Sequence, residues 1–336
     1  MITYENYNLF NCVYNIHNLL SLIFVIVDYV IKYPYFVSIL SRYPIENPAG
    51  PAPDFLKFRG NTFSKTFSLV RKTVNQSRIA TVCEEAKCPN RTECWSGGTA
   101  TFMLMGDTCT RGCKFCAVKT SSKPSELNFH EPKNLVNAIK EFSNINYIVL
   151  TSVNRDDIDD GGATHFAKCI TEVKLEFPDL KIEVLIPDFQ GDLNSIQTII
   201  DAKPDVIAHN IETVQRLTPI VRDRRATYDQ SLKILKYIKS SSTIFTKSSI
   251  MVGFSETFDE VCETLNDLKS NDVDFITIGQ YMRPTLKHLP VKKYLNSEEF
   301  RKYEEYGNEL GFKYIVSKPL VRSSYKAGEF FNRSVN

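Results

Sequence analysis

The chain has 336 residues with a formal net charge of +2 at pH 7, and 43% of its residues are hydrophobic. That apolar content is sufficient for a folded core, so it excludes a wholly disordered chain. The nearly neutral charge gives no reason to expect nucleic acid as a partner. The nine cysteines are odd in number and occur in a large chain, which argues against the disulfide framework of a small secreted domain.

The N-terminal part of the chain differs from the rest. An apolar run from Leu19 to Val27 is followed by a second apolar stretch that Asp28 and Lys32 interrupt. The uninterrupted run is shorter than the ~20 residues that a membrane helix needs, so we predict no membrane span. We expect residues 1–60 to form a poorly ordered leader or targeting segment that ends in a proline-rich linker.

A first group of cysteines lies in residues 61–100, which we predict to be an N-terminal extension of the folded part. Cys83, Cys88 and Cys94 have the spacing Cys-x4-Cys-x5-Cys. A closed tetrahedral metal site needs four ligands, so this group is one thiolate short. A cubane iron–sulfur cluster held by three cysteines keeps one iron open. The group therefore indicates a metal centre with an open ligand position.

Beyond residue 100, short apolar runs alternate with amphipathic segments. The runs predict strands at Phe102–Met105, Tyr147–Thr151, Ile182–Ile186, Val206–His209, Ser248–Val252 and Phe275–Gly279. The amphipathic segments predict helices near 133–143, 162–177, 191–201, 211–220, 227–240 and 257–270. Strands that are each followed by a helix predict an α/β fold with a parallel sheet. Six repeats favour a partial (β/α)6 TIM-like barrel at 101–290, with a C-terminal extension at 291–336, although a doubly wound sheet stays open.

Polar residues follow several of the predicted strands. In parallel α/β folds, ligands bind at the carboxyl ends of the strands. Arg155 follows the second strand, Asn210 the fourth and Glu256 the fifth, so these three are candidate cofactor-binding residues. Each of them could instead cap a helix. Taken together, they favour a binding site at one edge of the sheet.

A second group of cysteines follows the first predicted strand. Cys109, Cys113 and Cys116 have the spacing Cys-x3-Cys-x2-Cys, and Arg111 and Lys114 between them would offset negative charge. This spacing resembles that of the radical S-adenosylmethionine superfamily. The resemblance implies a [4Fe–4S] cluster whose open iron binds S-adenosylmethionine, and whose electron cleaves it to a 5′-deoxyadenosyl radical. A zinc site stays open as an alternative, although it would need a fourth ligand nearby.

Four longer motifs make the resemblance more specific. They lie at 81–90, 106–113, 151–157 and 321–325, the last reading Val-Arg-Ser-Ser-Tyr. With these motifs the chain resembles lipoyl synthases from about Thr81 to Phe331. The resemblance covers most of the chain downstream of the predicted leader.

The resemblance implies two [4Fe–4S] clusters with different ligands. The catalytic cluster would be held by Cys109, Cys113 and Cys116. The auxiliary cluster would be held by Cys83, Cys88, Cys94 and, as its fourth ligand, Ser324. An alkoxide binds iron less durably than a thiolate does, because the thiolate is the softer ligand. Ser324 would therefore be the ligand at which the auxiliary cluster opens and gives up sulfur.

The reaction that the resemblance implies acts on an octanoyl group bound to a lysine. The carrier would be a lipoyl domain or the glycine-cleavage H protein. Two S-adenosylmethionine molecules would be cleaved in turn, and sulfur would be inserted at C6 and C8. Neither C–H bond is acidic, so no acid–base residue could activate it. Further implied partners are a ferredoxin-type electron donor and iron–sulfur assembly or carrier proteins.

Other functions and compartments stay open on the sequence. One alternative is another radical sulfur-inserting enzyme, similar to biotin synthase or a methylthiotransferase. A second is a non-catalytic electron-transfer module with an iron–sulfur cluster or zinc. The stretches at 185–189 and 326–331 resemble mitochondrial lipoyl synthases more than plastid ones. We therefore expect a mitochondrial protein, with a plastid-type organelle as the alternative.

Overall fold

The structure is a computed structural model. It describes residues 47–56, 67, 68, 70–73, 79–85, 88, 90–96, 101–142, 145–324, 327, 328 and 331, with only the backbone of residues 94 and 96. The predicted leader at 1–60 lies outside the described residues except for 47–56. Within the described ranges, no helix has both the length and the apolar character to cross a membrane.

The described residues form a mostly parallel sheet and a separate two-stranded ladder. The strands are β1 (Ala80–Thr81), β2 (Thr101–Leu104), β3 (Thr108–Cys109), β4 (Lys119–Thr120), β5 (Tyr147–Ser152), β6 (Lys181–Leu185), β7 (Val206–Ala208), β8 (Phe245–Val252), β9 (Phe275–Gln280) and β10 (Tyr314–Ser317). The main sheet has the order β1-β2-β5-β6-β7-β8-β9-β10, and β3 pairs with β4. Every pair in the main sheet is parallel except β1 with β2.

Helices follow the parallel strands and cover the sheet. They are α1 (Val82–Glu85), α2 (Arg91–Ser96), α3 (Glu131–Lys140), α4 (Ala163–Glu176), α5 (Leu193–Asp201), α6 (Thr218–Val221), α7 (Tyr228–Ser241), α8 (Phe258–Ser270) and α9 (Ser297–Glu309). Each longer helix buries apolar residues at helical spacing, as in α7 with Ile234, Leu235 and Ile238. Such a stripe is what holds an amphipathic helix against a sheet.

The strand order confirms the predicted partial barrel. The parallel strands follow one another in chain order, so every crossover advances the sheet in the same direction. A doubly wound sheet would reverse its strand order at a switch point. Within the described part of the chain, β1 and β10 each pair with one neighbour, so the barrel stays open between them.

The prediction missed parts of the sheet and misjudged one helix. Strand β10 adds a seventh parallel strand, with helix α9 before it, and neither was predicted. The segment predicted as a helix at 211–220 instead forms a 3₁₀ turn at Gln215–Leu217 and the four-residue α6. The division of the chain at residue 290 stays a prediction, although β10 pairs with β9 in the same sheet.

Candidate active site

A cavity of about 290 Å³ lies at the carboxyl ends of the parallel strands. The residues that line it after β5, β6 and β7 are Val153, Asn154, Ile186, Pro187, Asp188, His209, Asn210 and Glu212. All three cysteines of the second group, Cys109, Cys113 and Cys116, line the same cavity. Parallel α/β folds bind their ligands at this edge. The structure thus brings the second cysteine group and the ends of three strands around one space.

Backbone N–H groups hold the second cysteine group in place. The Cys109 sulfur accepts hydrogen bonds from the N–H groups of Arg111 and Asn154, both at 3.4 Å. The Cys113 sulfur accepts one from the Asp223 N–H at 3.3 Å. Sulfur atoms that accept N–H groups are favoured as thiolates.

Burial, by contrast, raises the pKa values of two of these thiols. Burial raises the pKa of Cys113 to about 11, against the opposing effect of the Asp223 N–H. Burial and the charge of neighbouring thiols raise the pKa of Cys116 to about 12. A bound cation stabilises the thiolate, so metal binding at this group releases protons.

A buried ion network fixes the loop between Cys109 and Cys113. The Arg111 guanidinium donates to Asp156 at 2.8 Å and to Asp188 at 2.5 Å. Because its charge is bound by two carboxylates, Arg111 holds the loop against the ends of β5 and β6. Arg111 also lines the cavity, and its role in offsetting charge near the cysteines stays a prediction. Asp188 follows the third predicted strand, a position that could have identified it.

Three buried polar atoms at the cavity have no hydrogen-bond partner among the described residues. They are Oγ of Ser152, Oδ1 of Asn210 and Nε of Arg222. A buried polar group without a partner costs about 1–3 kcal/mol, so native structures rarely contain several together. Beside three thiols, these atoms fit a polar ligand that binds in the cavity. Ser152 and Arg222 were missed from sequence, because their unpaired state depends on the packing around them.

Glu212 adds a carboxyl group to the cavity lining after β7. Its side chain accepts a hydrogen bond from the Asn210 amide at 3.1 Å. Burial raises the pKa of Glu212, although the charge of Arg222 opposes the shift. His209, by contrast, uses both ring nitrogens within the protein, at 3.0 Å from Ile186 O and 3.0 Å from Ser231 Oγ.

The first cysteine group lies beside the C-terminal Arg-Ser-Ser motif. The Thr101 N–H donates a hydrogen bond to the Cys83 sulfur, and burial raises the pKa of this thiol to about 11. The Thr101 hydroxyl donates to the Ser324 hydroxyl at 3.0 Å. Arg322 lies close enough to Cys88 to interact with it, and burial lowers the pKa of the Arg322 guanidinium. Cys94 lies in α2, and its side chain is outside the described residues.

The two cysteine groups are close to the same cavity. Val82, which directly precedes Cys83, lines the cavity together with Ser323, which directly precedes Ser324. The Asn90 amide between Cys88 and Cys94 donates to the Leu320 carbonyl at 2.5 Å. The first group is therefore placed next to the cavity that the second group lines.

Two of the predicted cofactor-binding residues point elsewhere. Arg155 is buried and donates to Asp157 at 2.8 Å and to the Met105 carbonyl at 3.4 Å. Glu256 accepts from the N–H groups of Gly253 and Phe254 at 2.5 and 2.9 Å, and borders a different cavity. Of the three candidates, Asn210 alone is among the described residues that line the cysteine cavity.

A second cluster of potential metal ligands is structural. Glu131, His165 and Cys169 are all buried and their ligand atoms lie within 4.8 Å of one another. Both Glu131 oxygens accept the Met105 N–H, at 3.1 and 2.9 Å, and one binds His165 at 2.7 Å. Met105 has a φ of 65° at the turn that leads to Cys109. The hydrogen bonds of Glu131 therefore stabilise the turn at Met105.

Comparison with known families finds a sequence match in the part of the chain that holds the second cysteine group and most of the parallel strands. A sequence model of the Radical SAM superfamily matches residues 103–268. The FeFe-hydrogenase maturase HydG from Carboxydothermus hydrogenoformans is a structural neighbour with a TM-score of 0.50 and 13% identity, and the match covers 93% of this chain and 81% of that one. At this identity the neighbour supports the fold alone.

Curated relatives share about half of their aligned residues with the chain. The protein named lipoyl synthase, apicoplast, from Toxoplasma gondii is 52% identical over 291 residues, which are 84% of this chain and 53% of the relative. The one of the same name from Plasmodium falciparum (isolate 3D7) is 51% identical over 86% of this chain and 69% of its own length. Lipoyl synthase, mitochondrial, from Drosophila ananassae is 53% identical over 81% of this chain and 73% of its own length. The chain thus spans about half of the Toxoplasma relative and more of the others.

Proposed function

Because the chain belongs to the lipoyl synthase family of radical S-adenosylmethionine enzymes, we propose that it inserts two sulfur atoms at C6 and C8 of a protein-bound octanoyl-lysine. The observation that supports this most directly is the placement of the two cysteine groups. One group lines the cavity, and the other lies beside it with Ser324. An enzyme that moves sulfur to an acyl chain needs both groups within reach of that chain.

The second cysteine group and the cavity wall suit a cluster that binds S-adenosylmethionine. Cys109, Cys113 and Cys116 would hold three irons of a [4Fe–4S] cluster. The unpaired atoms of Ser152 and Asn210 would bind polar groups of S-adenosylmethionine. When bound, the clusters and S-adenosylmethionine supply a 5′-deoxyadenosyl radical and sulfide.

The first cysteine group suits a second cluster. Cys83, Cys88, Cys94 and Ser324 would be its four ligands. The contact of Thr101 with both Cys83 and Ser324 supports this set, because it joins residues far apart in the chain. Thr101 would orient the Ser324 hydroxyl and keep it beside the cysteines. Two clusters and two S-adenosylmethionine molecules per lipoyl group complete the proposed cofactors.

The remaining wall of the cavity suits an acyl chain. Val82, Met103, Val118, Val153 and Ile186 line it with apolar side chains. These residues would bind the octanoyl chain and exclude water from the site. Exclusion of water prevents side reactions of a reactive species.

The partners and the compartment follow from the family. The acyl carrier would be an octanoylated lipoyl domain or the glycine-cleavage H protein. A ferredoxin-type protein would donate electrons, and iron–sulfur carriers would supply the auxiliary cluster. Relatives are named for the mitochondrion in insects and for the apicoplast in apicomplexans. We propose that this protein works in one of these two kinds of organelle, the mitochondrion or a plastid-type one.

Cysteine variants test the proposal under anaerobic conditions. The chain is reconstituted with iron and sulfide and incubated with an octanoyl-lysine carrier peptide, S-adenosylmethionine and a reductant. We expect the parent chain to form 5′-deoxyadenosine and dithiolated peptide. Cys113→Ala should form neither, and Cys88→Ala should form 5′-deoxyadenosine without dithiolated peptide.

Cys262→Ala is the matched control, because Cys262 is a buried thiol in α8 outside both groups. It should form both products as the parent does. Dithiolation by Cys88→Ala would contradict the role given to the first cysteine group.

A further inference from the structure

The segment after β10 runs back across the open side of the barrel. We name residues 318–331 the C-terminal strap, of which 318–324, 327, 328 and 331 are described. Its first residues bind β9, since the Gln280 N–H donates to the Pro319 carbonyl at 3.1 Å. A Cβ on Gly279 would lie 2.0 Å from the Val321 carbonyl oxygen. The strap therefore packs directly on the β9 backbone, and only glycine allows this approach.

The far end of the strap is buried against the amino-terminal ends of the strands. The Phe331 ring lies 5.6 Å from the Tyr147 ring and 5.9 Å, edge to face, from the Phe245 ring. Tyr147 begins β5 and Phe245 begins β8. A Cβ on Gly328 would lie 2.9 Å from the Tyr147 Cβ, so the backbone of the strap touches this strand. We call Gly328 and Phe331 the C-terminal anchor.

The anchor covers a buried ion pair. The Lys247 ammonium donates to Glu183 at 2.7 Å, and the Tyr147 hydroxyl donates to the same carboxylate at 2.6 Å. The space that these groups enclose with Phe331 is about 10 Å³, no more than one water molecule would need. The anchor is thus tightly packed and shields charges from water.

Ser324 lies between the two ends of the strap. Its hydroxyl meets Thr101, which is opposite Val149 in the β2–β5 register. Gly328 meets Tyr147, two residues earlier on the same strand. Three residues separate Ser324 from Gly328. While Gly328 is packed on Tyr147, Ser324 can therefore lie no further from it than four residues of extended chain, about 14 Å.

We propose that Gly328 and Phe331 are positioning residues for the first cysteine group: their packing holds the Ser324 hydroxyl beside Thr101 and Cys83. This inference rests on the proposed function, in which Ser324 is a cluster ligand. It assigns a role to the end of the strap, which lies more than two hundred residues after the last cysteine ligand in the chain.

Phe331→Ala tests the inference, with Phe300→Ala as the control. Phe300 is a buried phenyl ring in α9 that belongs to a different hydrophobic cluster from Phe331. Hydrogen exchange on the protein without added iron and sulfide reports on the strap itself. Removing a buried phenyl ring creates a cavity, so amides at 318–324 should exchange at least about tenfold faster in Phe331→Ala. Phe300→Ala should leave this segment unchanged.

Cluster content after reconstitution is the second readout. Phe331→Ala should bind about half the iron and sulfide of the parent, that is, one [4Fe–4S] cluster out of two. Phe331→Leu refills the space with an apolar side chain, so it should recover most of the iron and sulfide that Phe331→Ala fails to bind. Phe331→Ala should still form 5′-deoxyadenosine, because the second cysteine group is untouched.

The outcomes separate the inference from the proposed function. Unchanged exchange at 318–324, or two full clusters in Phe331→Ala, would overturn the inference while leaving the proposed function in place. A parent chain that binds a single cluster would refute the proposed function, and with it the role given to Ser324.

Discussion

Replacement of Arg111 by alanine should strongly destabilise the protein, whereas the same change at Arg301 should not. Each arginine binds two carboxylates: Asp156 and Asp188 for Arg111, and Glu298 and Glu305 for Arg301. They differ in burial, since the side chain of Arg111 is 2% exposed and that of Arg301 is 57% exposed. The pair of variants therefore contrasts a buried arginine that joins distant segments of the chain with an exposed one whose partners lie in its own helix.

The size of the destabilisation depends on the hydrogen-bond donors that Asp156 and Asp188 keep when Arg111 is replaced. Without Arg111, Asp156 keeps the Thr110 hydroxyl at 2.7 Å and the Arg225 guanidinium at 3.1 Å, and Asp188 keeps the Gln230 amide at 2.7 Å. These donors limit the loss to roughly that of one broken buried pair, about 3–5 kcal/mol. Loss of the exposed Arg301 pairs should cost about 1 kcal/mol or less, because water and salt screen them.

Urea unfolding of the cluster-free protein under anaerobic conditions measures both values. The free energy of unfolding is extrapolated to water, and an unchanged denaturant slope shows that the folded state remains comparable. If the two variants lose the same free energy within about 1 kcal/mol, the reasoning from burial is wrong.

Three further changes test other contacts. Lys247→Met should cost about 3–5 kcal/mol in urea unfolding, because it leaves the Glu183 carboxylate buried without its cation. The double variant with Glu183→Gln should recover much of this loss, and no recovery would contradict the ion-pair assignment. Thr101→Val removes the hydroxyl that donates to Ser324 and should lower the free energy of unfolding by about 0.5–1.5 kcal/mol. Its specific readout is the rate at which the reconstituted protein loses iron to a chelator, which should rise. An unchanged rate would exclude a role for this hydroxyl. Gly279→Ala should displace the strap, which would appear as faster hydrogen exchange at 318–324. Equal exchange would show that the close approach of Gly279 to the Val321 carbonyl does not hold the strap in place.

The sheet could be predicted where its strands are buried on both faces. Strands β5 and β9 read as continuous apolar runs because helices or the barrel interior cover each side. The first half of β8 was missed, since Lys247 is charged and lies inside the barrel only because Glu183 neutralises it. Strand β10 was missed although its four residues are more than the three of β7, which was predicted. Pro219 lies in the first turn of the short α6, which begins at Thr218 directly after the 3₁₀ turn.

The site could be predicted where its residues are close in sequence. The spacing of Cys109, Cys113 and Cys116 indicates one ligand group, and the structure brings all three to one cavity. The proximity of Ser324 to Cys83 was implied by the family resemblance alone, because 241 residues separate them. Arg155 follows a strand as a ligand would, but an aspartate two residues later binds its guanidinium.

The source of the inserted sulfur tests the account most directly. The chain is reconstituted with sulfide of a heavy sulfur isotope, freed of excess sulfide, and allowed one turnover on an octanoyl-lysine peptide in buffer that contains ordinary sulfide. Mass spectrometry of the lipoyl peptide should show the heavy isotope at both inserted sulfur atoms in the parent chain, and no lipoyl peptide from Cys83→Ala. A lipoyl peptide that carries ordinary sulfur, or one formed equally well by Cys83→Ala, would contradict the account.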